Sequence, residues 1–258
     1  MLDPLNPSPV MLETICDFLE DLLKNPEIED YPNALNGLQL ENDGCITKLG
    51  AAVDASEAAI GLAIENGVDL LLVHHGLFWS GLSPIKGAAY RKLKRSLAAN
   101  LAIYSVHLPL DLHHEVGNNV LLAQALKLPE GEALYCDSRR CGLSISMELD
   151  LQELLVRLRA VLCTDPWVCS SGPATVRKLA VVTGGAGTLL EKIAIQEFDT
   201  FLTGEGPHHT FALAEELRIN LIYGGHYATE TFGVRALAER TASRFDLPWC
   251  FVDHPSGL

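Results

Sequence analysis

No stretch of this sequence approaches the roughly 20 consecutive apolar residues that a membrane-spanning helix needs. The opening "MLDPLNPSPVMLETICDFLEDLL" also lacks a basic segment followed by a long apolar run, the pattern of a secretory leader. A cytoplasmic protein is expected from both absences. Cysteine is sparse and scattered: Cys16, Cys45, Cys136, Cys141, Cys163, Cys169 and Cys250 are odd in number and never spaced CxxC. That pattern argues against a disulfide frame or a zinc knuckle, and the thiols are read as reduced and mostly structural. Basic side chains are outnumbered, 19 against 33 acidic, for a formal net charge of -14. Such a chain repels phosphate backbones and anionic lipid unless its few cations share one face, so neither nucleic acid nor membrane is expected as the main partner.

What is present is the make-up of a folded protein, with 48% apolar positions over 258 residues, enough for one large domain or two joined lobes. The spacing predicts a helix over Val10 to Lys24, then a turn-rich loop, "NPEIEDYPNALNGLQLEND". A βαβ rhythm follows. "KLGAAVD" and "VDLLLVHHG" are the continuous apolar runs of covered parallel strands, "SEAAIGLAIENG" has helical spacing with Ser56 as N-cap, "YRKLKRSLAAN" is a second helix and "LAIYSVHLPLD" a third strand.

The pattern then repeats. "KLAVVTGGAGTLLEKIAIQEFDTFLTGEG" lies over "KLGAAVDASEAAIGLAIENGVDLLLVHHG" without a gap, Lys178 over Lys48 and Asp199 over Asp69, 130 residues apart. "NLIYGGHYATE" lies over "LAIYSVHLPLD" with Tyr223 on Tyr104, His226 on His107 and Glu230 on Asp111, 119 residues apart. An α/β protein of two related, interlinked lobes with mostly parallel sheets is therefore expected, residues 1–130 and 131–258. Between the repeats, "LPEGEALYCDSRRCG" and "TDPWVCSSGPATV" read as loops flanking a strand near Leu143 to Leu149 and the helix "LQELLVRLRAVL".

The chemistry gathers at strand ends. Successive side chains on a strand point to opposite faces, so His74 and His75 cannot both face one site while the strand continues, and Gly76 lets the chain turn there. Ligand crevices of open α/β sheets lie outside the carboxyl ends of the strands, where this pair emerges. Taken alone, the pair fits equally a core histidine beside an exposed one. His107-x3-Asp111 and His226-x3-Glu230 add two imidazoles with carboxylates just beyond. These are donors for zinc, iron, manganese, nickel or cobalt. Four histidines and two carboxylates exceed what one tetrahedral ion needs, and two ions sharing a carboxylate use them more naturally.

Other features are open. "TGGAG" (Thr183 to Gly187) is either a phosphate-receiving turn or, more simply, a plain βα turn without the Lys-Ser/Thr of a P-loop. Lys86, Arg91, Lys92, Lys94 and Arg95 form a basic island, read as a solvated helix face rather than a phosphate guide. Glu205, His208 and His209 are candidates for acid or base work, Glu205 falling over His75 in the repeat. His113, His114 and His254 read as surface histidines. Phe78 and Trp79 read as walls, with a stacking platform for a purine as the alternative.

"NGLQLE", "DLLLVHHGLFWSG", "YSVHLPLDLHHEVGNN", "TGEGPHH" and "GGHYATE", in this order, resemble the Nif-three-like family, also called GTP cyclohydrolase I type 2 homologues or dinuclear metal-centre hexameric proteins, from about Val10 to Val252. The resemblance implies a two-lobed α/β subunit, six of which form a toroidal homohexamer with two divalent transition metal ions per subunit. It implies His74, His75, Asp111, His226 and Glu230 as ligands, with His74 serving one ion, His75 the other and Glu230 bridging. His107 is implied as an alternative or supporting ligand. The activity implied is metal-dependent hydrolysis of a nucleotide-like or small anionic substrate through activated water, GTP by the family label, with Glu230, His107, Glu205 and His209 as catalytic candidates. The alternative is a toroidal metal-binding or interaction protein without turnover.

Overall fold

Parallel strands form where the sequence runs apolar without alternation, because both faces of such a strand are covered. In the computed structural model, which describes residues 8–81 and 83–258, Leu49–Asp54, Leu70–His75 and Ala102–Ser105 pair in parallel, Leu49 opposite Leu70 and Leu70 opposite Ala102. Trp249–Phe251 adds in parallel at one edge and Gly37–Leu40 antiparallel at the other, giving five strands. The helix Glu57–Glu65 starts at Ser56, whose hydroxyl accepts the Ala59 amide at 3.1 Å, as its sequence position predicts. The N-terminal helix spans Leu12–Leu23, inside the expected Val10 to Lys24, and buries Leu12, Ile15, Cys16, Leu19 and Leu23 along one face; Val10–Met11 is instead a short strand.

The chain forms two compact units: the described residues up to Leu110 with Gly233–His254, and Asp111–Phe232 with Pro255–Leu258. Residues 1–7 of the expected first lobe lie outside the described residues. In the first unit Ile60, Leu71, Val73, Leu101 and Ile103 are at most 1% exposed and pack together. Each such side chain contributes on the order of 1.5–3 kcal/mol by leaving water.

The second unit's sheet runs Glu132–Cys136, Arg139–Asp150, Thr175–Val182, Thr200–Thr203, Asn220–Tyr223, Trp167–Ser170. Only the two pairings made by Thr200–Thr203 are parallel, so the expectation of mostly parallel sheets holds for the first sheet and fails for this one. The reason lies in the segments read as loops. Asp137 and Ser138 both adopt positive φ, 49° and 65°, which closes a tight hairpin between Cys136 and Arg139, and Trp167–Ser170 returns antiparallel to Asn220–Tyr223. The helix between them is as expected, Leu151–Leu162, with Asp150 accepting the amides of Gln152 and Glu153.

The internal repeat is visible in hydrogen bonds. Asp69 Oδ2 accepts the amides of Thr47 and Lys48, while Asp199 Oδ2 accepts those of Arg177 and Lys178. Lys48 Nζ donates to Asn66 O and Lys178 Nζ to Gln196 O. The second segment is shifted by one residue from the expected alignment. Leu70 pairs with Ala102 and its counterpart Thr200 with Asn220, so Ile222, not Tyr223, stands in the place of Tyr104. His226 accordingly opens its helix, His226–Phe245, whereas His107 precedes the short helix Leu108–Asp111. Among the described residues no helix is long and apolar enough to cross a membrane.

Candidate metal centre

The strand Leu70–His75 ends on its two imidazoles, and the alternation rule stops applying where the strand stops. The rings of His74 and His75 lie 4.8 Å apart, and one nitrogen from each of His74, His75 and His107 falls within a 4.8 Å span. A glycine is needed at 76 for space rather than for a left-handed turn. A Cβ there would meet the Gln39 carboxamide at 2.3 Å, which accepts the Leu77 amide at 2.6 Å and donates to Ala34 O and Leu35 O.

Each ring is held from behind. His74 Nδ1 donates to the carbonyl of Val106 at 3.0 Å, His75 Nδ1 lies 2.9 Å from Asp54 Oδ1, and His107 Nδ1 lies 2.8 Å from Asp30 Oδ1. An oxygen partner at Nδ1 selects the tautomer whose Nε2 carries the lone pair, which is how metal-binding imidazoles are oriented. Asp30 and Asp54 escaped the sequence reading. Asp54 has a signal in hindsight, since parallel register sets it opposite His75. Asp30 sits in the turn-rich loop, 77 positions from His107, and has none. Trp79 packs edge-on to His75 and His107, and Tyr31 lies 5.8 Å from the His107 ring.

The second unit carries the carboxylates. Glu230, 2% exposed, places Oε2 3.1 Å from His226 Nε2, one helical turn earlier, and an oxygen within 4.8 Å of Asp111. Asp111, 7% exposed, accepts from Asn118 Nδ2 at 2.8 Å and from the Thr183 hydroxyl at 3.4 Å. Glu205 Oε1 lies 2.8 Å from His226 Nδ1 and thus plays for His226 what Asp54 plays for His75. Burial lowers the proton affinity of His226, but hydrogen bonds and charge from Glu230 and Glu205 outweigh it and raise the pKa to about 9. Gly184, φ +73°, makes the room, because a Cβ there would sit 2.1 Å from Glu230 Oε1.

These donors, imidazole nitrogen and buried carboxylate, suit a borderline divalent metal, and groups of them lie close enough together to hold metal ions. His208 and His209 are exposed at the start of the helix Thr210–Leu217, His114 and His254 are exposed, and His113 Nδ1 accepts the amides of Glu115 and Val116. Thr183 to Gly187 is a βα turn whose Gly184 carbonyl accepts the amides of Gly204 and Glu205. In the basic island Arg91 pairs with Glu57 and Lys92 donates to Ala55 O.

The model of the Duf34/NIF3 (NGG1p interacting factor 3) family matches residues 10–256. A Deinococcus radiodurans protein named GTP cyclohydrolase 1 type 2 homolog is 40% identical over 233 residues, 88% of each chain. A Pyrococcus horikoshii protein of the same name is 37% identical over 252 residues, 95% of this chain and 99% of its own. Among solved structures, TTHA1606 from Thermus thermophilus superposes with a TM-score of 0.89 at 39% identity, over 96% of this chain and 100% of that one. Reduced HcgD from Methanocaldococcus jannaschii gives 0.86 at 29% identity over the same shares. The strand-end histidines, the buried carboxylates and these likenesses lead to one assignment: the chain belongs to the Duf34/NIF3 family and has its α/β fold.

Proposed function

We propose that this protein is a dinuclear metal-dependent hydrolase acting on a nucleotide-like or small anionic substrate, with two divalent transition metal ions per chain bound by His74, His75, Asp111, His226 and Glu230. The observation that carries the proposal is the uniform backing of the rings: Val106 O, Asp54 and Glu205 each hold the Nδ1 of a proposed ligand, which leaves its Nε2 available to a metal. Glu230 is the proposed bridge, supported by its closeness to both Asp111 and His226. Bound by these residues, the ions would supply Lewis acidity and lower the pKa of water.

The chain's own groups do the rest. His107, its Nδ1 on Asp30, has Nε2 to accept and return a proton near the proposed ligands His74 and His75. Glu205 orients His226, and Trp79 and Tyr31 pack beside His107. The name borne by its relatives points to GTP as the first substrate to try. The functional unit is proposed to be a cytoplasmic toroidal homohexamer.

Elemental analysis of untagged protein, paired with native mass spectrometry, tests the metal and assembly proposals together. Two transition metals per chain in a hexamer are expected. Incubation of that protein with GTP and with phosphate monoesters, followed by chromatography and mass spectrometry, should then yield ring-opened or dephosphorylated product. Full metal occupancy without turnover of any of these would replace the hydrolase by a metal-binding protein.

A further inference from the structure

The hairpin Glu132–Cys136 and Arg139–Asp150 brings two thiols together that sequence spacing did not mark as a pair. The ladder slips between Leu134 and Tyr135, so that Leu134 faces Gly142 and Tyr135 faces Arg140, leaving Cys141 as the extra residue of a bulge. Bulges re-aim the side chain they carry. Here Cys141 Sγ lies 3.3 Å from Cys136 Sγ and 3.6 Å from Leu134 O.

We propose that Cys136 and Cys141 form a redox-active dithiol that a hydroperoxide oxidises to a reversible disulfide across the hairpin. The two sulfurs already lie 3.3 Å apart across two strands joined by a two-residue turn, so closing the bond shortens a contact that exists, to roughly 2.05 Å. Cys136 is buried, with 6% of its surface exposed, and Cys141 is half-buried beside it. The two thiols also divide the work. The hydrogen bond that Cys141 donates lowers the Cys136 pKa most, burial opposes it and the Lys192 ammonium adds to it, leaving Cys136 at about 7; Cys141 is pushed up, chiefly by the same hydrogen bond and by burial. Cys136 is thus the attacking thiolate and Cys141 the resolving thiol.

In the first step the Cys136 thiolate attacks the proximal peroxide oxygen, the O–O bond breaks, and a sulfenic acid forms with release of hydroxide, which takes up a proton to become water. In the second, Cys141 sulfur attacks the Cys136 sulfur, the S–O bond breaks, and water leaves with the proton from Cys141. Two thiols lose two electrons and one hydrogen peroxide becomes two waters. Added dithiol reverses the bond by exchange.

The remaining cysteines are internal controls. Cys45 and Cys163 are exposed, and burial together with nearby carboxylates raises Cys16 to about 11. The test treats the full chain, as purified, with a small excess of hydrogen peroxide, blocks remaining thiols with N-ethylmaleimide, and maps tryptic peptides. Because Arg139 and Arg140 lie between the two cysteines, trypsin converts the proposed disulfide into a cross-linked peptide pair. That pair is expected before oxidation of Cys45 or Cys163, and dithiothreitol should remove it. Cys141→Ser should abolish the cross-link and carry Cys136 on to sulfinic acid. Full alkylation of both cysteines in the wild-type chain, after Cys45 and Cys163 have oxidised, overturns the proposal, and that measurement needs no variant to fold.

Discussion

The carboxylate of Asp30 accepts a hydrogen bond from His107 Nδ1 at 2.8 Å, with 6% of the Asp30 side chain and 11% of the His107 side chain exposed. The same carboxylate accepts the amides of Tyr31 and Leu108 and the Asn36 side chain, four donors in all. Burial alone would raise its pKa, but the hydrogen bonds and charge from His107 and the other donors outweigh burial and hold it below the usual value. A depressed folded-state pKa means stability that is present above the unfolded value near 3.9 and is lost as pH falls through the folded one. Asp30→Ala is expected to cost roughly 3 kcal/mol by leaving several buried donors unpaired. Asp30→Asn should flatten the loss of stability below about pH 4. Urea midpoints across pH 3 to 7 check both.

The proposed bridge makes Glu230→Gln the sharpest test of the metal centre. Glutamine keeps the volume of a side chain that is 2% exposed, so the fold should survive while most bound metal is lost. Unchanged metal content in a variant with a native circular dichroism spectrum would remove Glu230 from the ligand set.

Gly184→Ala attacks the same carboxylate from outside. The new Cβ would overlap Glu230 Oε1, and a positive φ adds strain of about 1–2 kcal/mol for a non-glycine residue. Metal occupancy is expected to fall along with thermal stability, whereas a loss confined to stability would mean that Glu230 can move aside without leaving the metals.

The groups behind the rings should matter nearly as much as the rings. Asp54→Asn and Glu205→Gln remove the charge that orients His75 and His226, and each is expected to weaken metal binding by about 10- to 100-fold. Competition with a chromophoric chelator measures this directly, and affinity equal to wild type in both variants would show that packing alone fixes the rings.

How much of this was legible beforehand depended on the range of the interaction. The apolar runs at Leu49–Asp54 and Leu70–His75, the Ser56 cap and the 130-residue repeat are local patterns, and the structure bears them out. The hairpin at Asp137 and Ser138 read as loop because neither residue is the glycine or asparagine that usually marks such a turn. The one-residue slip that separates Ile222 from Tyr223 was hidden because sequence identity favoured tyrosine on tyrosine, whereas strand register follows backbone hydrogen bonds.

By itself, then, the sequence determined which donor types stand at the strand ends and that the βαβ pattern occurs twice, since both follow from residue chemistry and short periodicities along the chain. Tertiary structure alone decided that Asp30 backs His107, that Gln39 fills the space behind Gly76, that Glu205 orients His226 and that a bulge turns Cys141 toward Cys136. Those pairings depend on register, loop path and the filling of space between residues up to 77 positions apart, and no local pattern encodes them.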